Sequence, residues 1–380
     1  MGLAQFARAG LLLFAAGAVL AGAAAPAAAD VTLGPTVGGD PEVVSGDRAA
    51  HVVFQKDSKS VTYCRLPHFK QSCKYRQNFD PPTVKGSNLV CGNPQIATGG
   101  DTVRVFVGAC GEATYVWMSK NGGKTFERDL FANVAVLDMV PTTADGKKGA
   151  LIVGNDSDGQ GRSVSRTQFT AYGAKPGGSA EQPQDDETER FAQVNTFKKK
   201  ALLTYVNDGK LFSRTASLGS NLNSAGSWSS PTALPVPFDV SASRDVHVSR
   251  GPSGTFLLFR PSSAHKWLVN RFTGATFNVG AAVSTSAETG NFADMFEDGR
   301  GTVHVIWEEG GASDKILYRS APNGQNFGNT TELIDVKTGG PSEIRIAVVK
   351  RRKIVVWVGG GNGPDGGVHA HWVAELNRVR

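Results

Sequence analysis

Cysteine is scarce and unevenly placed: the chain of 380 residues has four, Cys64, Cys73, Cys91 and Cys110, and none beyond residue 110. Neither neighbouring pair has the companion histidine and cysteine spacing of a zinc site, which argues against a metal centre and for disulfides. Long apolar runs are missing after residue 29, so the remainder holds no helix able to span a bilayer. Helix-type periodicity is nearly absent, which excludes a helical bundle. The formal charge is +6, yet no basic stretch is interleaved with aromatics, so nucleic acid is not an expected partner.

What is present begins with MGLAQFARAGLLLFAAGAVLAGAAAPAAA, where Arg8 precedes an alanine-rich apolar run that ends in an Ala-x-Ala site before Asp30. This is the pattern of a secretory signal peptide over residues 1–29, and it predicts an extracellular or periplasmic protein starting near Asp30. A retained anchor is the alternative; the weak hydrophobicity of the alanines and the interruption at Pro26 argue against it. An even cysteine count suits the same oxidising destination.

Glycine is abundant, with 46 residues, and short runs of Val, Ile, Leu, Phe and Tyr alternate throughout with Gly, Asn, Asp and Ser clusters. Strands and turns are therefore expected over the whole of residues 30–380, as one all-β domain. Seven apolar stretches recur at intervals of roughly 50 residues: HVVFQ from His51, VRVFVG from Val103, ALIVG from Ala150, ALLTYV from Ala201, TFLLF from Thr255, VHVIW from Val303 and IVVWV from Ile354. Each is preceded by another strand across a short turn and followed by a third and a weaker fourth. A period of this length suggests the four-stranded blade of a β-propeller, with seven blades. Six is the alternative count, because the third unit is irregular and carries GAKPGGSAEQPQDDETE. The last unit is one strand short, and VTLGPTV from Val31 is a spare strand that would close the ring.

If IATGGDTVRVFV turns near Gly99 and Gly100, Cys91 and Cys110 face each other across adjacent strands; Cys64 and Cys73 bracket RLPHFKQS in the same way. The expected pairs are thus Cys64–Cys73 and Cys91–Cys110.

Three turns between third and fourth strands share a pattern. SKNGGKTF holds Ser119, Asn121, Gly123, Thr125 and Phe126; NRFTGATF places Gly274, Thr276 and Phe277 in the same register; SAPNGQNF places Gly324 and Phe327. A distorted fourth version ends at Trp228. In these stretches the chain resembles the sialidase-like propellers and their Asp-box (BNR) repeats, Ser-x-Asp-x-Gly-x-x-Trp/Phe, with Asn121 standing for the aspartate and proline in its place in the third copy. The pattern implies a structural hairpin in which glycine permits the bend and the aromatic plugs into the blade.

The resemblance also implies where chemistry would lie. Sialidases of this fold use an arginine trio, a tyrosine nucleophile assisted by glutamate, and an acid/base aspartate, gathered near the starts of inner strands. The inner strands expected here contain no tyrosine, and Arg65-Leu66-Pro67 lies in a third-strand hairpin, so no catalytic role is carried over. The ligand-binding candidates at that mouth are Arg190, Arg244 with Asp245, Asn291 with Asp294, and Glu343 with Arg345, each also able to serve as an ordinary ion-pair member. A non-catalytic scaffold for glycans or anionic cell-surface polymers, monomeric, is the leading expectation, with a sialidase-type glycoside hydrolase as the alternative.

No cofactor is expected, with calcium as the alternative. NDSDGQG, residues 155–161, resembles a calcium loop but lacks the full ligand spacing and the closing glutamate, and His369 with His371 share a strand face without a third ligand. The clusters Lys147-Lys148, Lys198 to Lys200 and Lys350 to Lys353 all fall in turns between first and second strands, so they should join Lys120 and Lys124 on one basic face.

Overall fold

The computed structural model describes residues 31–36, 41–82, 89–91, 93–110, 113–157, 163–182, 192–207, 210–233, 246–251, 254–260, 266–272, 277–278, 280–284, 290–298, 300–309, 315–336, 341–350, 352–359 and 367–373. They form seven antiparallel sheets of four strands each. The strand left over at the front is β1 (Val31–Pro35). Blade 1 comprises β2 (Glu42–Ser45), β3 (Ala49–Asp57), β4 (Ser60–Pro67) and β5 (Tyr75–Phe79); blade 2 comprises β6 (Gln95–Gly99), β7 (Thr102–Ala109), β8 (Ala113–Ser119) and β9 (Glu127–Ala132). Blade 3 follows as β10 (Ala135–Ala144), β11 (Lys147–Ser157), β12 (Ser163–Ala171) and β13 (Ala180–Glu181), and blade 4 as β14 (Gln193–Phe197), β15 (Lys200–Asn207), β16 (Lys210–Ser217) and β17 (Thr232–Ala233). Blade 5 is β18 (Val246–Gly251), β19 (Gly254–Phe259), β20 (Leu268–Arg271) and β21 (Ala281–Ala282); blade 6 is β22 (Ala293–Glu297), β23 (Thr302–Glu308), β24 (Lys315–Pro322) and β25 (Thr331–Asp335).

Blade 7 has only three strands late in the chain, β26 (Ser342–Val349), β27 (Arg352–Gly359) and β28 (Gly367–Val373). Its fourth is β1, which pairs antiparallel with β28 through Val31↔Ala370 and Thr32↔His369. The first strands β2, β6, β10, β14, β18, β22 and β26 neighbour one another in that order, and β26 returns to β2. The molecule is therefore a closed seven-bladed β-propeller, its last blade completed by the strand from the front of the chain.

The second strands read as apolar runs because both of their faces are covered by neighbouring blades. Along β23, Val303, Val305 and Trp307 join the cluster shared with blade 5, whereas Ile306 joins the one shared with blade 7. Along β27, Ile354 and Val356 pack toward blade 1, and Val355 and Trp357 toward blade 6. Alternation along a strand thus serves two interfaces, and each interface is a separate patch of core.

Both expected disulfides are formed, Cys64–Cys73 with Cα atoms 5.4 Å apart and Cys91–Cys110 at 5.0 Å. Each first strand runs from one mouth of the channel to the other. Its hairpin with the second strand and the turn joining third to fourth strands open on one side, called here the turn face; the starts of the inner strands lie on the entry face.

The turn at residues 119–126 is closed by a side-chain network. Ser119 Oγ accepts the Gly123 N–H (2.9 Å) and lies 2.8 Å from Asn121 Oδ1; that amide oxygen accepts the N–H groups of Lys124 and Thr125 (3.1 Å each), and Asn121 Nδ2 donates to Thr125 Oγ1 (2.8 Å). Asparagine serves because backbone donors need an acceptor rather than a charge. The aromatics, however, insert between blades and not within one. Phe126 packs on Tyr63 and Phe79 of blade 1 at 4.9 and 5.0 Å; Phe277 lies in the cluster of blades 4 and 5, and Phe327 packs on that of blades 5 and 6. Gly274 and Thr276 lie outside the described residues.

Candidate functional site

On the entry face, Arg345 is drawn down into the channel. A bulge between Ser342 and Arg345, with Glu343 at φ +48°, shifts the register of β26 against β27. The guanidinium of Arg345 reaches Glu42 of blade 1 (Nε to Oε2 3.7 Å), and Arg345 Nη1 donates to Ile344 O (2.9 Å). Asp294 Oδ2 accepts the Ile346 N–H (2.8 Å), so this carboxylate links the inner strands of blades 6 and 7. Asp138 does the same between blades 3 and 4, accepting the Val194 N–H at 2.8 Å. Enclosure in the channel pushes the Asp138 carboxyl up to about 6, opposed by the N–H groups of Val194 and Met139 and by the charge of Arg345. Arg345, Asp294 and Asp138 thus fasten inner strands together.

Arg190, Arg244 and Asp245 lie outside the described residues, as do the 158–161 part of NDSDGQG and the leader, residues 1–29. Asn291 belongs to a group that reading the sequence did not assemble: Arg260 donates Nη1 to Gly290 O (3.0 Å) and Nη2 to Asn291 Oδ1 (2.9 Å), while Glu308 accepts the Asn291 N–H (3.0 Å). Burial raises the Glu308 carboxyl, against its bonds to Asn291 and Phe292 and the nearby Arg260. Tyr63, Tyr115 and Tyr318 stand on third strands and Tyr205 on a second, away from the inner ring. His369 stacks on Trp357 (ring centroids 5.5 Å) and touches Thr32 Oγ1 through Nδ1 (3.4 Å).

The turn face carries the more open arrangement. A cavity of about 530 Å³ lies at the channel rim between blades 2, 3 and 4, with Thr98, Arg104, Thr142, Lys148, Tyr172 and Lys198 among the residues that line it. Each cation comes from a different blade, at the start of β7, at the start of β11 and in the β14–β15 turn. Arg104 stacks on the ring of Tyr172, its Cζ 3.7 Å from the centroid. Its Nε is buried with no hydrogen-bond partner among the described residues. A buried donor left unsatisfied costs roughly 1–3 kcal/mol, more when charged, and with Nε sealed off an external acceptor would meet this guanidinium at its Nη groups. No carboxylate is among the described residues that line the cavity.

Lys198 has a second peculiarity. Phe197 pairs with Lys200, so Lys198 and Lys199 form a two-residue hairpin turn, and Lys198 adopts φ +54°. Such turns favour Asn or Gly at positive φ, as blade 3 shows with Asp145 (φ +47°) and Gly146 (φ +70°). Lysine in this conformation costs about 1 kcal/mol, and its Nζ lies over the Phe197 ring, 5.2 Å from the centroid. Lys350 repeats the feature in blade 7 at φ +48°. The lysine clusters were visible as sequence; Arg104 was the missed residue, and its signal is a lone charge inside the apolar stretch VRVFVG.

No protein-family model matches the chain, and no curated protein matches it in sequence. Solved structures do resemble its fold. The BP39L lectin from Burkholderia pseudomallei is similar with a TM-score of 0.62 at 12% identity, over 89% of this chain and 96% of the lectin. An ulvan lyase, a polysaccharide lyase, is similar with a TM-score of 0.54 at 10% identity, over 92% and 96% of the two chains. A prolyl endopeptidase is similar with a TM-score of 0.52 at 11% identity, over 89% of this chain and 50% of that one. These likenesses are of fold, and the fold is shared by a binder, a lyase and a peptidase.

Proposed function

We propose that the protein is an exported, monomeric propeller that binds anionic glycans without cleaving them, at the cavity on its turn face. The observation that carries this reading is Arg104, its guanidinium held flat on the ring of Tyr172 in a cavity that Lys148 and Lys198 also line and to which no described carboxylate contributes. Guanidinium forks match carboxylate and sulfate oxygens, and a rigid stack holds the fork in place before the ligand arrives. The volume falls within the range of about 300–1,000 Å³ usual for ligand sites.

The fold is compatible with such ligands, since one ulvan lyase of this architecture has been solved with a sugar containing glucuronate and sulfated rhamnose. The two disulfides and the leader pattern support export. The glycine turns ending at Phe126, Phe277 and Phe327 support grouping the chain with the sialidase-like propellers. Binding is preferred to hydrolysis because the arginines described at the entry face are engaged within the protein, Arg345 with Glu42 and Arg260 with Gly290 and Asn291.

The test is retention of residues 30–380 on immobilised heparin against neutral dextran. Retention should fall with salt, and Arg104→Ala should weaken binding about tenfold, the equivalent of one lost charge-assisted contact. Failure to bind, or binding indifferent to Arg104→Ala and Lys198→Ala, would sink the proposal. Turnover of a fluorogenic sialoside would reinstate the hydrolase.

A further inference from the structure

A second cavity, of about 490 Å³, lies on blade 4, which also lines the first through Lys198 and Leu218. Lys199 and Lys200 line it, together with Thr215, Ser217, Trp228 and Ser229. A wall of chain-adjacent residues divides the two: Leu218 lines the inner cavity and Ser217 the outer, as Lys198 lines the inner and Lys199 the outer. That wall is fastened from both sides, because Leu218 N donates to Lys199 O (2.9 Å) and Leu218 O accepts the Asp145 N–H (2.8 Å). The floor is fixed as well. Trp228 is buried and its Nε1 donates to Leu222 O (3.1 Å), while Ser229 N and Thr215 O are bonded at 2.8 Å.

The contents of the two cavities differ in a way that suits consecutive sugars. The inner one offers the fixed guanidinium of Arg104 and the ammonium groups of Lys148 and Lys198. The outer one offers Lys199 and Lys200 beside hydroxyl groups, which can donate or accept toward sugar hydroxyls. Between them stands the strained Lys198-Lys199 turn, so cations occur on both sides of the dividing wall.

We propose that the two cavities are adjoining subsites of one radial groove, running from the channel rim across the β14–β15 turn to the outer part of blade 4. The groove takes an internal stretch of a linear acidic polysaccharide, several sugars long, with the densest anionic group at Arg104 and the next at Lys199 and Lys200. A terminal monosaccharide would need only the inner cavity. This inference rests on the anionic-glycan reading and specifies the length and direction of the ligand.

The experiment is calorimetric titration with heparin fragments of defined size, a disaccharide and a decasaccharide, against the mature chain and two variants. For the unmodified protein the decasaccharide should bind more tightly than the disaccharide. Lys199→Gln with Lys200→Gln should weaken the decasaccharide about five- to tenfold, two surface charge contacts' worth, and leave the disaccharide unchanged. Arg104→Ala should weaken both fragments. Both lysines are exposed on a hairpin, and circular dichroism checks that the fold is kept. Equal affinity of the two fragments, or a decasaccharide indifferent to the double lysine variant, overturns the groove while leaving the inner site intact. Loss of both fragments on lysine replacement overturns it too, since a separate outer subsite would spare the disaccharide. Binding of neither fragment to the unmodified protein removes the anionic-glycan reading itself.

Discussion

Gly123 of blade 2 lies so close to Tyr63 of blade 1 that a Cβ built on it would overlap the phenol oxygen. Tyr63 is held there by a buried hydrogen bond between its hydroxyl and His51 Nδ1, 2.7 Å long. The same relation recurs between blades 6 and 5, where a Cβ on Gly324 would come within 2.7 Å of the Phe256 ring. In both turns the glycine is the point of contact with the preceding blade, beyond permitting the bend. Gly123→Ala should therefore cost about 2–4 kcal/mol, combining the strain of alanine at φ +81° with overpacking of the Tyr63 hydroxyl. Gly99→Ala is the control, with open space around its Cβ, and should change stability by under about 0.5 kcal/mol. Urea unfolding of the two variants separates the effects, and equal losses would refute the contact.

Asn121 acts as an acceptor for turn N–H groups, so the acceptor matters more than the amide. Asn121→Asp should leave stability within about 0.5 kcal/mol, whereas Asn121→Ala should cost about 1 kcal/mol, the net worth of hydrogen bonds at an exposed turn. Thermal unfolding of both variants is the check, and an aspartate variant weaker than the alanine one would contradict the acceptor role.

Acid should destabilise the fold well before carboxylates protonate in bulk. Burial, aided by Arg65, lowers the His51 imidazole to about 4; burial and Lys353 lower His304 to about 4 despite Asp298 at 3.4 Å. In the unfolded chain both titrate near 6.5, so between 6.5 and 4 the unfolded state binds more protons and stability falls as pH falls. The loss is on the order of 3 kcal/mol for each histidine. Asp138 works in the opposite sense: with its folded pKa raised from 3.8 to about 6, stability is lost as pH rises through that interval. Asp138→Asn keeps the acceptor for Val194 and should raise stability at pH 7 by about 1–2 kcal/mol, allowing for screening in the channel. It should leave pH 4 unchanged and so steepen the acid transition. Unfolding free energies at pH 7, 5.5 and 4 test both signs, and a flat profile would contradict the histidine argument.

The repeat was legible because each second strand is covered on both faces, which writes its position into the sequence as an apolar run. The closing strand was legible for the complementary reason: blade 7 is visibly one strand short, and β1 supplies the missing edge beside β28. The site was less readable. Arg104 sits near Tyr172 because blades 2 and 3 are adjacent, a contact between residues far apart in the chain that no local pattern encodes. The ion pair of Arg345 with Glu42 likewise joins the last blade to the first. Arg345 follows the start of an inner strand, which the sequence shows, but its partner arrives only when the ring closes.

The disulfides differ in the length of chain they constrain. Cys91–Cys110 spans 19 residues and Cys64–Cys73 spans 9, so loss of the former by Cys91→Ala with Cys110→Ala should cost about 3 kcal/mol and loss of the latter somewhat less. Denaturant midpoints of the two double variants, compared with reduced protein, give the ordering; a larger effect from the shorter loop would point to strain or packing in place of chain entropy.

Arg345 is the residue at which the two faces of the propeller make opposite demands. If the entry face held the ligand, Arg345→Gln would abolish binding and cost little stability, because a ligand-seeking arginine has no internal work to do. The observed geometry argues the reverse. Its side chain is 10% exposed, its Nε lies 3.7 Å from Glu42, and its charge helps keep Asp138 ionised across the channel. Glutamine would leave Glu42 without its cation and remove the charge that favours ionised Asp138, at a cost of about 1–3 kcal/mol at neutral pH that shrinks as acid protonates Asp138. Heparin affinity should stay within about twofold of the unmodified protein, since the cavity holding Arg104 lies at the opposite end of the channel and salt screens the lost charge over about 10 Å. Measured together, a stability loss with unchanged affinity assigns Arg345 to ring closure, and an affinity loss without destabilisation would return the binding site to the entry face.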